Sequence, residues 1–265
     1  MKSYAYVTVM STENYLKGVL ALFKSIQKTN SICNQYVVII NENISKVSEE
    51  CLRKNHIQVI RKTSITIPTY ILEKNKDSTS PNWNYTFDKF YIYDLIEFEK
   101  IIYLDSDMLV NKNIEELFDM PHMSATIAGK SYKGNEHWTK LNSGIMVVEP
   151  KEGIREDLTR LMIKSSNFRG PMGDQDIIEK YYNWEQHKKL HLNEKYNVFA
   201  NYVDFYIERL GYSFEDLAVI HFIGKQKPWM MGEEQKKEYI SNCNKEQKKY
   251  QIKVFCNYLD ILETI

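Results

Sequence analysis

The sequence predicts an α/β domain: a single-domain, Rossmann-like, mostly parallel sheet flanked by helices, with a helical C-terminal tail. Three observations carry this. Apolar runs of strand length alternate with amphipathic helix patterns from the first residues onward, the pattern of a doubly wound parallel sheet. A central run, Ile101 to Leu104, is apolar enough to be covered on both faces before it gives way to acids. No internal repeat, low-complexity tract or linker divides the 265 residues, so residues 1–265 read as one domain.

In chain order, Tyr4 to Met10 reads as the first strand. Ser11 and Thr12 can cap the helix that follows, Tyr15 to Thr29, whose Leu16, Val19, Leu20, Phe23 and Ile26 recur at helical spacing. Gln35 to Ile40 is a second strand, Ser45 to Asn55 a helix, and Gln58 to Ile60 a short third strand. Lys62 to Asn84 is polar, carries Pro68 and Pro81, and reads as a long loop, a candidate active-site flap. Thr86 to Ile96 reads as a helix leading into the central strand, whose apolar run Ile101 to Leu104 ends at the acid pair within Lys100 to Val110. A short helix over Asn113 to Phe118 and strands at Ala125 to Ala128 and Ser143 to Val148 follow. Helices are expected over Arg155 to Ser165 and Asp174 to Tyr182, and a late strand over Val219 to Phe222. Residues 232–265 form the helical, charged extension.

Hydrophobic residues make up 43% of the chain, enough for a sizeable core. Thirty-five basic and thirty-five acidic residues cancel, so bulk charge points neither to nucleic acid nor to an anionic membrane. Cys33, Cys51, Cys243 and Cys256 stand far apart without zinc spacing and are expected to be reduced. No run of about 18 or more apolar residues occurs, and the apolar run ending at Met10 is too short for a signal peptide. The expectation is a cytoplasmic protein with no membrane span.

The central stretch reads Lys-Ile-Ile-Tyr-Leu-Asp-Ser-Asp-Met-Leu-Val. Asp105 and Asp107 do not belong in a buried strand and are expected where it emerges, side chains facing one way at i and i+2. Two such carboxylates suit a hard divalent cation that could hold a nucleotide-sugar diphosphate. Asp-x-Asp alone is a weak signal, and Asp174-Gln175-Asp176 repeats it. In an open parallel sheet, ligands gather beyond the carboxyl ends of the strands. The loop Met10-Ser11-Thr12-Glu13-Asn14 lies there without a glycine fingerprint, which argues against a dinucleotide. Ser11, Thr12 and Tyr15 would suit a base and ribose, or Ser11 and Thr12 simply cap a helix. Lys89 could reach a phosphate, although a solvated face is the commoner fate of such a lysine. Asn142, Ser143 and Gly144 could bond sugar hydroxyls or form a plain turn. Gly173 to Asp176 opens a helix and could display an acid and an amide to a sugar, or merely cap it. In His221-Phe222-Ile223-Gly224-Lys225-Gln226-Lys227-Pro228-Trp229, a strand histidine is followed by a glycine and a lysine suited to a phosphate.

Five stretches, Tyr6 to Gly18, Asp88 to Val110 with the helix after it, Asn142 to Val148, Gly173 to Gln175 and His221 to Trp229, together resemble the glycogenin-like sugar transferases of glycosyltransferase family 8. The resemblance implies a GT-A fold, a UDP-sugar donor (UDP-glucose or UDP-galactose), Mn2+ with Mg2+ as the alternative ion, transfer with retention, and a homodimer. It implies Asp105, Asp107 and His221 as metal ligands and Gly224 and Lys227 as diphosphate contacts. Val9, Ser11, Thr12 and Tyr15 fall in the uridine and ribose pocket, with Ser106 near the ribose. Lys89, Asn142, Ser143, Asp174 and Gln175 fall on the donor sugar, with Asp174, Gln175 and Lys89 in the catalytic group. Self-glucosylation on Tyr202 or Tyr206 follows as an expectation. The departures are Ser11-Thr12 in the first loop, a Gly129 to Leu141 loop without the usual Asp-Pro-rich form, and Asp176 after Gln175. They leave open a bacterial-type galactosyl- or glucosyltransferase acting on a surface glycan, and a non-catalytic UDP-sugar-binding scaffold. Past residue 232 the resemblance stops.

Overall fold

The structure is a computed structural model that describes residues 3–76 and 81–265. Residues 77–80 of the expected flap lie outside the described residues. The seven-stranded sheet runs in the order β3-β2-β1-β4-β7-β6-β8. Its strands are β1 (Tyr4–Met10), β2 (Tyr36–Ile40), β3 (Gln58–Arg61), β4 (Lys100–Leu104), β6 (Ala125–Thr126), β7 (Asn142–Val148) and β8 (His191–Leu192). β3, β2, β1 and β4 are parallel; β7 runs antiparallel to both β4 and β6. Period-two alternation sends Ala5, Val7, Ile101 and Tyr103 to one face and Tyr6, Met10, Ile102 and Leu104 to the other. α1 (Leu16–Lys28) and α2 (Lys46–Lys54) are the first crossovers of the parallel half. The other helices are α3 (Thr69–Lys76), α4 (Ile154–Lys164), α5 (Asp174–Tyr182), α6 (Val203–Leu210), α7 (Glu233–Lys245) and α8 (Lys249–Leu262).

Three expectations need correction. Asp105 and Asp107 do not lie on an extended segment. β4 ends at Leu104, where the acids are expected to emerge, and the chain turns through Asp105, Ser106 and Asp107. Met108–Val110 then becomes β5 of a separate sheet, ordered β5-β10-β9, with β9 at Val198–Phe199 and β10 at Val219–His221. The loop Lys62 to Asn84 contains α3. Finally, the α-helix expected over Thr86 to Ile96 is a 3-10 helix over Pro81–Asp94.

That tighter coil repeats every three residues, and the repeat sorts its side chains. Phe87, Phe90 and Tyr93 are all buried in one core. Thr86 and Lys89 share a face toward the start of α5, where the Thr86 hydroxyl oxygen accepts from the Asp174 amide at 3.2 Å and the Lys89 ammonium meets the Asp174 carboxylate at 2.8 Å. Asp88 and Tyr91 turn to the third face, toward Ile65 and Thr63. The C-terminal extension is two helices, and α8 buries Val254, Tyr258 and Ile261 in a third core with Val198, Ile220 and Phe222.

Candidate active site

Where β4 ends, Asp105 and Asp107 turn toward His221 at the end of β10. One ligand atom from each lies within 4.8 Å of the others, the one such group of three or more acid, histidine or cysteine side chains among the described residues. His221 Nε2 is 3.1 Å from Asp107 Oδ1 and 3.9 Å from Asp105 Oδ2. Its Nδ1 pairs with Asn197 Oδ1 at 3.0 Å, and Asn197 donates in turn to Asn142 Oδ1 at 2.9 Å. An Nδ1–H donated to that amide oxygen is the tautomer that would leave the Nε2 lone pair for a metal ion when one binds.

Two buried lysines flank the acids. Lys227 donates to Asp107 Oδ2 at 2.6 Å and to the Phe222 carbonyl at 2.7 Å. Burial alone would raise the Asp107 carboxyl, but His221 and Lys227 outweigh it and hold it well below the usual carboxylate range. Lys89 lies between Asp105 (3.1 Å) and Asp174 (2.8 Å) and donates to Ser143 Oγ at 3.0 Å. Burial would push the Lys89 ammonium toward neutrality; the two carboxylates reverse that and raise its pKa. Lys89 is 4% exposed, so the commoner local reading, a solvated face, does not hold.

Asp174 is buried and also accepts from Ser143 Oγ at 2.7 Å, while Gln175 Oε1 accepts from the Ser143 amide at 3.1 Å. The structure thus joins Asp105, Asp107, Lys89, Asn142, Ser143, Asp174, Gln175, His221 and Lys227 into one network. Three carboxylates, Asp105, Asp107 and Asp174, face two ammonium groups, a local excess of negative charge that favours a cation. With two oxygen donors and one imidazole, the residues fit a hard or borderline divalent ion such as Mn2+ or Mg2+.

The other expected residues lie around this network. Val9, near the end of β1, and Ser11, Thr12 and Tyr15 beyond it are half-buried. Ser11 donates to Asp88 Oδ2 at 3.2 Å, and Asn41 donates to the same oxygen and to the Ser11 carbonyl. Ser106 is buried, and Gly224, exposed with φ +89°, turns the loop between His221 and Lys227. Tyr206 is fully buried and its hydroxyl donates to Glu194, whereas Tyr202 is half-buried and stacks on Tyr132 at 3.7 Å.

Sequence reasoning missed Asn41, Asp88 and Asn197 as parts of the site, and named Gly144 without its steric role. A β-carbon on Gly144 would lie 2.7 Å from Met108 Cε, 2.8 Å from Asn142 Oδ1 and 2.9 Å from His221 Cε1, so a side chain there would crowd the imidazole. Gly144 stands in the quoted Asn142-Ser143-Gly144 triplet, where its size could have been noticed. Asn197 lies in no motif and has no such signal.

A mostly parallel sheet with an acid pair at a strand end, an imidazole opposite and buried lysines beside them defines a nucleotide-sugar transferase of the GT-A type. Comparison with known proteins gives the family: the model described as glycosyl transferase family 8 matches residues 6–232, and the chain belongs to that family, as a glycogenin-like member. It is 32% identical over 178 residues to inositol phosphorylceramide glucuronosyltransferase 1 of Arabidopsis thaliana, covering 67% of this chain and 30% of that one. It is 28% identical over 234 residues to glycogenin-2 of Homo sapiens, covering 85% and 43%. The chain thus spans about a third of the length of the first plant relatives it matches. Among solved structures it resembles galactosyltransferase LgtC in complex with donor and acceptor sugar analogues, with TM-score 0.65, 16% identity and 98% and 96% coverage. It also resembles the apo glycosyltransferase GlyE of Streptococcus pneumoniae, with TM-score 0.60, 20% identity and 87% and 57% coverage. Both carry the GT-A fold. No described helix is long and apolar enough to cross a membrane.

Proposed function

We propose that this glycosyltransferase is a Mn2+-dependent, retaining hexosyltransferase that moves glucose or galactose from its UDP-sugar to an acceptor hydroxyl. The reading rests on the convergence of Asp105, Asp107 and His221, distant in sequence, within 4.8 Å of one another. Mn2+, or Mg2+ in its place, would be held by these three and would supply Lewis-acid stabilisation of the UDP leaving group. Lys227, within reach of the acid pair on a loop turned at Gly224, then faces the diphosphate as a second positive charge. Val9, Ser11, Thr12 and Tyr15 line the uridine and ribose pocket, with Ser106 against the ribose. Lys89, Asn142, Ser143, Asp174 and Gln175 hold the donor sugar.

A double displacement needs a free carboxylate beneath the anomeric carbon. Asp174 is engaged by Lys89 and by Ser143, and Gln175 is a poor nucleophile. Front-face transfer is therefore favoured, in which the departing phosphate takes the acceptor proton while Asp174 and Gln175 stabilise positive charge on the sugar. A trapped sugar–Asp174 adduct would overturn this step.

The acceptor is a glycan hydroxyl. Self-glycosylation is the second reading, and half-exposure favours Tyr202 for it over the buried Tyr206. The relatives include a glucuronosyltransferase and a glycogenin, and the fold resembles that of a galactosyltransferase, so the donor is best tested as a panel. Purified protein is incubated with Mn2+ and UDP-glucose, UDP-galactose or UDP-glucuronate, and UDP release and intact mass are measured. Mass gains of one hexose indicate self-glycosylation, and UDP release without mass gain an external acceptor or hydrolysis. UDP binding with no release from any donor would refute the enzyme reading and leave a scaffold. A homodimer in the cytoplasm is part of the same proposal, read out by light scattering and fractionation.

A further inference from the structure

The family model ends at residue 232, yet α8 beyond it packs against the aromatics that flank the Lys227 loop. On α8, the Tyr258 side chain is fully buried. Its ring packs edge-on to Phe222, centroids 4.8 Å apart, and stacks on Trp229 at 5.8 Å. Those two aromatics bracket the loop that carries Gly224 and Lys227. Both are wired to the acid turn: the Phe222 amide donates to the Asp107 carbonyl at 2.9 Å and its carbonyl accepts from Lys227 at 2.7 Å. Trp229 lies beside the first loop and the acid turn at once. Its indole donates to the Asn14 carbonyl at 2.7 Å, and its ring and the Ser106 carbonyl both crowd the position of a β-carbon on Gly18, at 2.9 and 2.6 Å.

Against this packing one atom has no partner. The Tyr258 hydroxyl is buried and, among the described residues, makes no hydrogen bond. A buried polar group without a partner costs more than a replaced one, so each such group needs an explanation. The hydroxyl also feels the Asp107 carboxylate: burial first, then that charge, raises the phenol well above its usual pKa and keeps it a donor.

We propose that Tyr258 is a positioning residue of the diphosphate end of the nucleotide-sugar site, its hydroxyl donating, directly or through one water, to a phosphate oxygen of the bound donor. The proposal rests on the UDP-sugar reading and adds to it that α8, beyond the family model, completes the site. A bound diphosphate supplies the acceptor that the hydroxyl lacks, and Phe222 and Trp229 hold the ring so that little order is lost on binding.

The test compares the full chain with Tyr258→Phe, which keeps the ring and removes only the hydroxyl. Binding of UDP and of uridine is measured by calorimetry in Mn2+, alongside thermal melting. The expected result is UDP affinity weakened on the order of 10-fold, as for a hydrogen bond to a charged group. Uridine affinity is unchanged, and the melting temperature is equal or higher, because an unpaired buried hydroxyl is gone. Unchanged UDP affinity, or equal losses on UDP and uridine, overturns the proposal and leaves the donor reading intact. Failure of the unaltered chain to bind UDP with Mn2+ sinks both.

Discussion

Gly144 sets how close the imidazole can come to the acid pair, and Gly144→Ala tests that directly. The new β-carbon would meet His221 Cε1 at 2.9 Å, where ordinary contact begins at 3.4 Å, so the ring must withdraw by about 0.5 Å. Met108 Cε, at 2.7 Å, is the far end of a flexible side chain and can yield; Asn142 Oδ1, at 2.8 Å, is held by the Gly144 and Asn197 donors and cannot yield freely. Cε1 adjoins both ring nitrogens, so its displacement moves Nε2 as well. Metal sites tolerate ligand shifts of about 0.2 Å, so the expected loss of Mn2+ affinity is about 10- to 100-fold, the range found when ligand-orienting groups are removed. Overpacking itself costs about 1–3 kcal/mol, a fall of roughly 2–12 °C in Tm for a chain of this size. Mn2+ affinity is read by titration calorimetry and stability by circular dichroism, with His221→Ala as the benchmark for a missing ligand. Wild-type Mn2+ affinity in Gly144→Ala, at any Tm, would refute the argument that this residue's size positions the imidazole.

Three other outcomes follow from the same network. Lys89→Met leaves Asp105 and Asp174 without the ammonium between them; the expected loss is about 3–5 kcal/mol in urea unfolding, and a loss below about 1 kcal/mol would contradict the buried pairing. Asp174→Asn keeps the shape but removes a charge beside the donor sugar, so kcat is expected to fall about 100-fold or more while UDP affinity holds; an equal loss in both would assign Asp174 to ground-state binding. Away from the site, hydrogen bonds from Arg61 and then Arg53 depress the Glu49 carboxyl to about 2 from its ordinary value of 4.5. Because the folded pKa is the lower one, the stabilisation is complete above about pH 4.5 and is lost as pH falls through about 2. Glu49→Gln should therefore lower Tm at neutral pH and flatten its decline between those values, and parallel Tm–pH curves for the two proteins would exclude the linkage.

Much of this architecture is legible in the residues themselves. β1, α5 and the spacing of the first crossovers follow from apolar periodicity, and Asp105, Asp107, His221 and Lys227 meet as the order of motifs implies. That Met108-Leu109-Val110 starts a strand of another sheet is not legible, because it continues the apolar character of Ile101 to Leu104. What divides them is the turn through the acids and the pairing of β5 with β10, a partner more than a hundred residues away. Lys89 misleads for a related reason. Its neighbours are apolar at spacings that fit either an α-helix or a 3-10 helix, and only the observed three-residue repeat turns it inward beside Thr86. Gly144 stands in a visible triplet but acts through atoms supplied by β5 and β10, and Asn197 lies in no local pattern at all.

The small second sheet aims the imidazole at the acid pair, whereas Lys227 reaches the same pair from a loop. His221 stands opposite Met108 in the β5–β10 ladder, one residue from Asp107, and opposite Phe199 in the β9 pairing, two residues from Asn197. Its side chain is thus aimed by register, and a slip of one residue would turn it to the other face. Asp105 is fixed in the same way, since its amide donates to the Gly144 carbonyl at 2.8 Å across β4 and β7. Lys227 by contrast hangs on a loop with exposed residues at Ile223, Gly224, Lys225 and Gln226, and reaches Asp107 by a flexible side chain. The acids and imidazole are therefore placed by backbone pairing, whereas the buried Lys227 comes from a loop and would have to give up Asp107 to meet a phosphate. That division suits a site in which the cation's ligands stay in place through each turnover and the diphosphate's contacts are made and broken.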